Sequence, residues 1–304
     1  SCSSCCPISA KRCSIDTGSP HHEPGKRKID LAALNPVSRI RNQPAGILGG
    51  GGAVLYVLFI GLPVLALLVR AAQQSDFLDA VTSDAALTAL RLSLITSVIS
   101  MAVVVLLGTP FAYLLARSDR LWARLMDSLV ELPLVLPPVV AGVAMLMAFG
   151  RNGLIGSELG SIGLTIPFTT TAVVFAQIFV ASPFFIRSAK LGFQSVGKDY
   201  EDIAQTLGVS PWRTFFRITL PLAAPAMFTG LGLAWARALS EFGATMMFAG
   251  NLTGETQTMP LAIMSAMEKS LDGALALSVM LLAGSIMGLV LLGLLTRRRW
   301  QGRS

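Results

Sequence analysis

Apolar positions run along this chain in long blocks, not at the two-residue spacing of a half-buried strand. Six blocks stand out, at about 48–70, 87–116, 129–149, 168–188, 222–249 and 272–295. About twenty consecutive apolar residues let a helix cross the hydrocarbon core of a bilayer. The blocks therefore predict an all-α membrane protein with about six transmembrane helices, occupying residues 47–300. Residues 1–46 are rich in Ser, Pro and charge and have no apolar periodicity. They carry too little apolar surface to offset the entropy of ordering, which predicts a disordered cytoplasmic tail. No apolar run in that tail reads as a secretory signal.

The loop between the fourth and fifth blocks, residues 189–221, is polar and long, and short helices are predicted inside it. Asp199 is placed to cap a first helix, with Asp202 three residues on. Tyr200, Ile203, Ala204 and Leu207 recur at i, i+3, i+4 and i+7 and form one apolar face, while Glu201, Asp202, Gln205 and Thr206 form a polar one. Gly208 stops that helix, since glycine adopts the left-handed cap conformation without steric cost. Ser210-Pro211 starts a second helix. Trp212, Phe215 and Phe216 give it an aromatic face, and Arg213 and Arg217 a basic one. A lipid-surface helix would account for the aromatics and arginines. The short acidic helix closed by glycine fits a protein partner in the cytoplasm better.

Charge sets the orientation. The chain is 53% hydrophobic and 13% charged, with a formal charge of +7, against about a quarter charged in soluble domains. The tail holds Lys11, Arg12, Lys26, Arg27, Lys28, Arg39 and Arg41; the loop after the second block holds Arg117, Arg120 and Arg124. The 189–221 loop and its borders hold Arg187, Lys190, Lys198, Arg213 and Arg217; the C-terminus holds Arg297, Arg298, Arg299 and Arg303. With six spans all nineteen fall on one side, against four on the other: Arg70, Arg91, Arg151 and Lys269. The positive-inside rule then puts both termini and the polar loop in the cytoplasm. The basic excess is topology and implies no nucleic-acid partner.

Several chemistries are missing from the sequence. Cys2, Cys5, Cys6, Cys13, His21 and His22 all lie in the tail, which reads as a reduced, solvated segment and not as a metal site. The apolar body has no histidine for a proton relay or a Ser–His pair. No G-x-x-x-x-G-K-[ST] occurs: Gly25-Lys26 is followed by Arg27, and Gly197-Lys198 by Asp199. The chain is expected to be no enzyme and to bind no cofactor or metal itself. Transport or channel function remains.

Two spans carry candidate path residues. Span 3 contains Pro133, Pro137 and Pro138, which interrupt the backbone ladder. Inside a bilayer this is tolerated where protein or a water-lined cavity satisfies the freed groups. In span 5, Ala226, Gly230, Ala234 and Ala238 form a small-residue face suited to close helix contact. Arg237, Glu241 and Thr245 repeat every four residues on another face. Intramembrane charges usually face the bundle interior, so they line a path or form a structural ion pair. Ser240, Asn251, Thr256 and Gln257 add hydrogen-bonding groups nearby.

The polar loop resembles the cytoplasmic loop of ABC-transporter permeases of the binding-protein-dependent importer class. That family carries Glu-Ala-Ala, then Gly, then an apolar residue with Leu-Pro. Here the motif reads Glu201-Asp202-Ile203-Ala204-Gln205-Thr206-Leu207-Gly208 and ends Ile218-Thr219-Leu220-Pro221, with Asp202 and Ile203 where small residues are usual. Ser240 to Asn251 and Gly254 to Ile263 are similar to molybdate permeases, with sulfate permeases as close relatives. The resemblance implies a type I ABC importer permease fold, a homodimer with the path at its two-fold axis, and a bacterial inner (plasma) membrane location; the Ser-rich, basic tail, faintly like a transit peptide but for Asp16, Glu23 and Asp30, gives the plastid envelope as the alternative. It implies an ABC ATPase subunit carrying ATP and Mg²⁺, docked on Glu201, Asp202, Ala204, Leu207, Gly208 and Trp212. It also implies an extracytoplasmic oxyanion-binding protein, and a path past Pro137, Pro138, Arg237, Ser240, Glu241, Thr245, Asn251, Thr256 and Gln257. Sulfate or tungstate is the alternative substrate. An ion-gradient-driven secondary transporter is the alternative of another class.

Overall fold

A computed structural model describes residues 44–301, with side chains described from 50 to 294. The expectations for the tail, with its cysteines and histidines, lie outside the described residues except at 44–46, where the first helix begins. The described chain is helical: α1 Pro44–Ala72, α2 Phe77–Thr82, α3 Asp84–Arg117, α4 Leu121–Val135, α5 Pro138–Phe149, α6 Gly156–Ser161 and α7 Thr170–Ser195. Then follow α8 Lys198–Thr206, α9 Pro211–Thr214, a π turn Phe215–Thr219, α10 Leu220–Leu239, α11 Gly243–Ala249, α12 Met259–Met267 and α13 Leu271–Gln301. The chain divides into two units after Gly61. The first contains the opening part of α1, whose large apolar side chains from Val54 to Ile60 are exposed. The second holds everything described below.

Among the described residues, five segments are long and apolar enough to cross a membrane: 50–72, 84–117, 170–195, 211–239 and 271–294. The pair α4 and α5, bent by 117°, brings the number to six when taken as one span. The block expected at 129–149 is therefore an elbow and not a straight helix. Pro137 takes an extended conformation (φ −55°, ψ 136°) and Pro138 begins α5. Neither proline has an N–H to continue the ladder of α4. Lys190 Nζ lies 2.7 Å from Asp127 Oδ2, and Arg187 lies 3.7 Å from Glu131, so two ion pairs link α7 to α4 from the side. The block expected at 222–249 is also broken, at 240–242, into α10 and α11.

The core lies where α3, α7 and α10 pack around Ala112, Phe185, Phe193, Ala234 and Trp235. Lipid is as apolar as leucine, so these helices associate through close van der Waals fit and buried hydrogen bonds. Gly230 lies directly on Ser188, and a Cβ at Gly192 would come 2.8 Å from that of Ala226. The expected small-residue face thus meets α7. Ser93, Thr96, Ser97 and Ser100 are fully buried along one side of α3, and Ser100 Oγ donates to Gln177 Oε1 at 2.9 Å. A second core joins α5, α7 and α11 through Ala141, Met145, Val173 and Phe248. There α5 and α11 touch backbone to backbone: a Cβ at Gly142 would come 2.7 Å from Ala244 O, and one at Gly243 would come 2.9 Å from Pro138 Cβ.

Candidate functional site

The helix α8 stands between the ends of α7 and α10. It starts after Gly197, which takes the cap position without a side-chain bond, so Asp199 is not the cap. Asp199 and Glu201 sit in the first turn, where the helix dipole favours negative charge. The far end closes as the glycine predicts. Gly208 has φ +78°, its N–H donates to Gln205 O at 2.9 Å, and Val209 N–H donates to Ala204 O at 3.0 Å. This pair of bonds is the Schellman closure. Ser210 and Pro211 then open α9.

The two faces of α8 are not those the periodicity suggests. Of the apolar set only Ala204 is buried; Tyr200, Ile203 and Leu207 project outward, Leu207 being 77% exposed. Asp202 is exposed beside them. Glu201, assigned to the polar face, is turned inward. It lies about 60° round the helix from Ala204, and its side chain is only 13% exposed. Trp212 on α9 is 75% exposed and stacks edge-on with Phe216. Together these residues make an apolar and aromatic surface facing away from the bundle.

Four elements meet at Glu201. Arg117 Nη2, at the end of α3, donates to Glu201 Oε1 at 2.6 Å, and Thr219 Oγ1, the last residue of the π turn, donates to the same oxygen at 2.8 Å. Tyr113 Oη donates to Oε2 at 3.3 Å. The other arm of Arg117, Nη1, donates to Phe193 O and Val196 O at 3.1 and 3.2 Å, satisfying carbonyls that the end of α7 leaves open. Tyr113, Phe193 and Phe215 pack edge to face around the cluster. Burial alone would push the Glu201 carboxyl up. The bonds from Arg117 and Thr219 and the Arg117 charge outweigh it and hold the carboxyl below the ordinary glutamate value. Neither Tyr113, Arg117 nor Thr219 stood out in the sequence as a site residue.

The candidate path residues fall into two groups. Pro137, Pro138 and Ser240 are exposed. Arg237 is 28% exposed, and its Nη2 lies 2.7 Å from Oε2 of fully buried Glu241, an ion pair outside hydrogen-bond geometry. Glu241 Oε1 accepts from Ala244 N at 2.8 Å, so the carboxylate just past the break satisfies an open N–H in the first turn of α11. Thr245 and Thr256 are enclosed within the protomer, and Thr256 Oγ1 accepts from Leu252 N at 2.9 Å. Asn251 and Gln257 both donate to Ser265 Oγ, at 2.8 and 3.3 Å. Gln257 also borders a cleft of about 340 Å³ shared with Ser83, Ser265 and Lys269.

The family described as binding-protein-dependent transport system inner membrane component matches residues 108–301. The chain is 44% identical over 241 residues to the molybdenum transport system permease protein ModB of Mycobacterium bovis, covering 79% of this chain and 90% of that one. It is 36% identical over 252 residues to the sulfate transport system permease protein CysW of Synechococcus elongatus, covering 82% and 88%. Its fold matches a chain of a bacterial alginate ABC transporter solved in complex with an alginate pentasaccharide-bound periplasmic protein. That match has a TM-score of 0.68 at 16% identity and covers 83% of this chain and 93% of that one.

Proposed function

Because the chain belongs to the binding-protein-dependent transport system inner membrane component family, we propose that it is the membrane subunit of an ATP-driven importer for molybdate. Two copies would form the translocation path at their shared axis in a bacterial cytoplasmic membrane. A separate ATPase subunit would supply hydrolysis with its own ATP and Mg²⁺, and an extracytoplasmic protein would deliver the oxyanion. The observation that carries the substrate is the 44% identity, over most of both chains, to a molybdenum permease. The site supports the coupling half. Tyr200, Ile203 and Leu207 project from a short cytoplasmic helix and present apolar surface to solvent, a cost a membrane protein has reason to bear where a partner covers it.

Drive by an ion gradient fits the site less well. It needs a carboxylate within the bundle open to a coupling ion, and Glu241 is already committed to Arg237 and to the N-terminus of α11. The paired charges leave the path without net negative charge at that level, which suits a dianion. Sulfate is the second reading, favoured by the similarity to a sulfate permease.

Proteoliposomes containing this chain, its ATPase and its binding protein should accumulate labelled molybdate only with ATP inside the compartment the ATPase faces. Excess sulfate should leave that uptake in place. Uptake driven by an imposed proton or sodium gradient without ATP would overturn the transport class, and sulfate competition at equal concentration would move the substrate to sulfate.

A further inference from the structure

We propose that Glu201 is not a contact for the ATPase subunit but the inner half of a latch, with Arg117 and Thr219 as positioning residues, that makes α8 move as one body with α3, α7 and α10. The proposal rests on the importer reading above and deepens it.

Three observations carry it. First, the Glu201 carboxylate is already occupied. Oε1 accepts from Arg117 and Thr219 and Oε2 from Tyr113, three of the roughly four acceptor sites a carboxylate offers. Reaching a partner outside would break bonds in a site that is mostly shielded from water.

Second, the latch joins segments that nothing local would join. Arg117 lies 84 residues from Glu201 and Thr219 lies 18. Arg117 spends its second arm on the carbonyl end of α7. One carboxylate therefore ties the docking helix to the end of one span, through it to the end of a second, and directly to the base of a third.

Third, the grip on the third span falls on an irregular turn. Phe215–Thr219 is a π turn, a motif carrying one extra residue per turn and frequent at functional sites. Thr219 is its last residue and is fully buried. The opposite end of α10 carries Arg237 and leads to Glu241. A displacement of α8 thus enters at the irregular turn that leads into α10 and is transmitted along the helix that carries Arg237 of the Arg237–Glu241 ion pair. Without the latch, α8 would be held by Ala204 and by its flanking backbone. Docking itself belongs to Tyr200, Ile203 and Leu207.

The test uses the full chain with its ATPase and binding protein in liposomes. Thr219→Val keeps the shape and removes one donor; Glu201→Gln keeps the shape and removes the charge; Ile203→Asp is the docking control. ATPase affinity is titrated for each, and molybdate uptake is read per ATP hydrolysed. Ile203→Asp should weaken ATPase binding by roughly tenfold or more. Thr219→Val and Glu201→Gln should leave affinity within about threefold and lower uptake per ATP by about fivefold or more. The double variant should be no worse than Glu201→Gln alone, because both changes cut one link. The proposal is overturned if Glu201→Gln weakens ATPase binding as much as Ile203→Asp does. It is equally overturned if Thr219→Val and Glu201→Gln both couple normally. If the unmodified chain binds no ATPase at all, the importer reading itself fails, which is a different result from either.

Discussion

The indole N–H of Trp235 on α10 donates to Ser97 Oγ on α3 across 3.1 Å, in a site closed to solvent. The same ring lies against Gly288 of α13, so one side chain positions three membrane-spanning helices. Hydrogen bonds between transmembrane helices contribute about 0.6 kcal/mol on average. Ser97→Ala should cost about that amount, whereas Gly288→Leu, which drives a side chain into the ring, should cost about 1–3 kcal/mol. Reversible unfolding of the purified chain in mixed detergent micelles measures both.

Gly208 sits at φ +78° with open space where a Cβ would stand. Backbone strain is therefore the whole effect of substitution. Gly208→Asn should be tolerated, while Gly208→Val should cost about 1–2 kcal/mol at the end of α8. Hydrogen exchange at Val209, whose N–H closes the turn onto Ala204, should quicken in the valine variant and stay near the parent rate in the asparagine variant.

Glu201 gives the cytoplasmic end of the bundle a pH dependence of definite sign. Its carboxyl lies below the ordinary glutamate value in the fold, so its contribution to stability is present above the unfolded-state value. That contribution is lost as pH falls through the lower, folded one. Arg117 and Tyr113 are the ionisable groups facing it. Thermal unfolding between pH 7 and pH 3 should show a destabilisation for Glu201→Gln that is constant at neutral pH and shrinks on the acid limb. A gap that widened as pH fell would contradict the latch geometry.

Glu241→Ala removes both the counter-charge of Arg237 and the acceptor for Ala244 N. Breaking one side of a buried pair costs about 3–5 kcal/mol, so this variant should unfold well before the parent chain. Glu241→Gln combined with Arg237→Met keeps an acceptor at the cap and removes the stranded charge. It should recover most of the loss in the same unfolding measurement.

The parts of the structure that local chemistry dictates were readable in the sequence. Gly208 and Pro211 act through their own backbone, and each stands where its residue type implies, while Ser210 holds the cap position of α9 without a side-chain bond. The small-residue face of α10 likewise announced a close helix contact through its spacing, though not that its partner would be α7. Glu201 was placed on the wrong face because the residue that turns it inward, Arg117, is remote in sequence and had been accounted for as a topology charge. The straight span drawn over 222–249 failed at Glu241. A carboxylate in an apolar block has no local signature saying whether it stays within a helix or leaves it to cap the next. Three prolines foretold a break near Pro137, but not that the chain would turn there by 117°. Thr245 and Thr256 look like path residues in a linear reading, whereas the turn after α10 folds them into the protomer.

The nine residues of α8 make a rod of only about 13 Å. Tilting so short a lever by about 10° moves its tip by about 2 Å, the scale of an ordinary helix shift. Rotation of α8 against a partner docked as proposed above would therefore move its tip no further than such a shift. Useful work has to arrive as a push or pull along the direction in which the rod is anchored, and it is spent wherever that anchorage is stiffest.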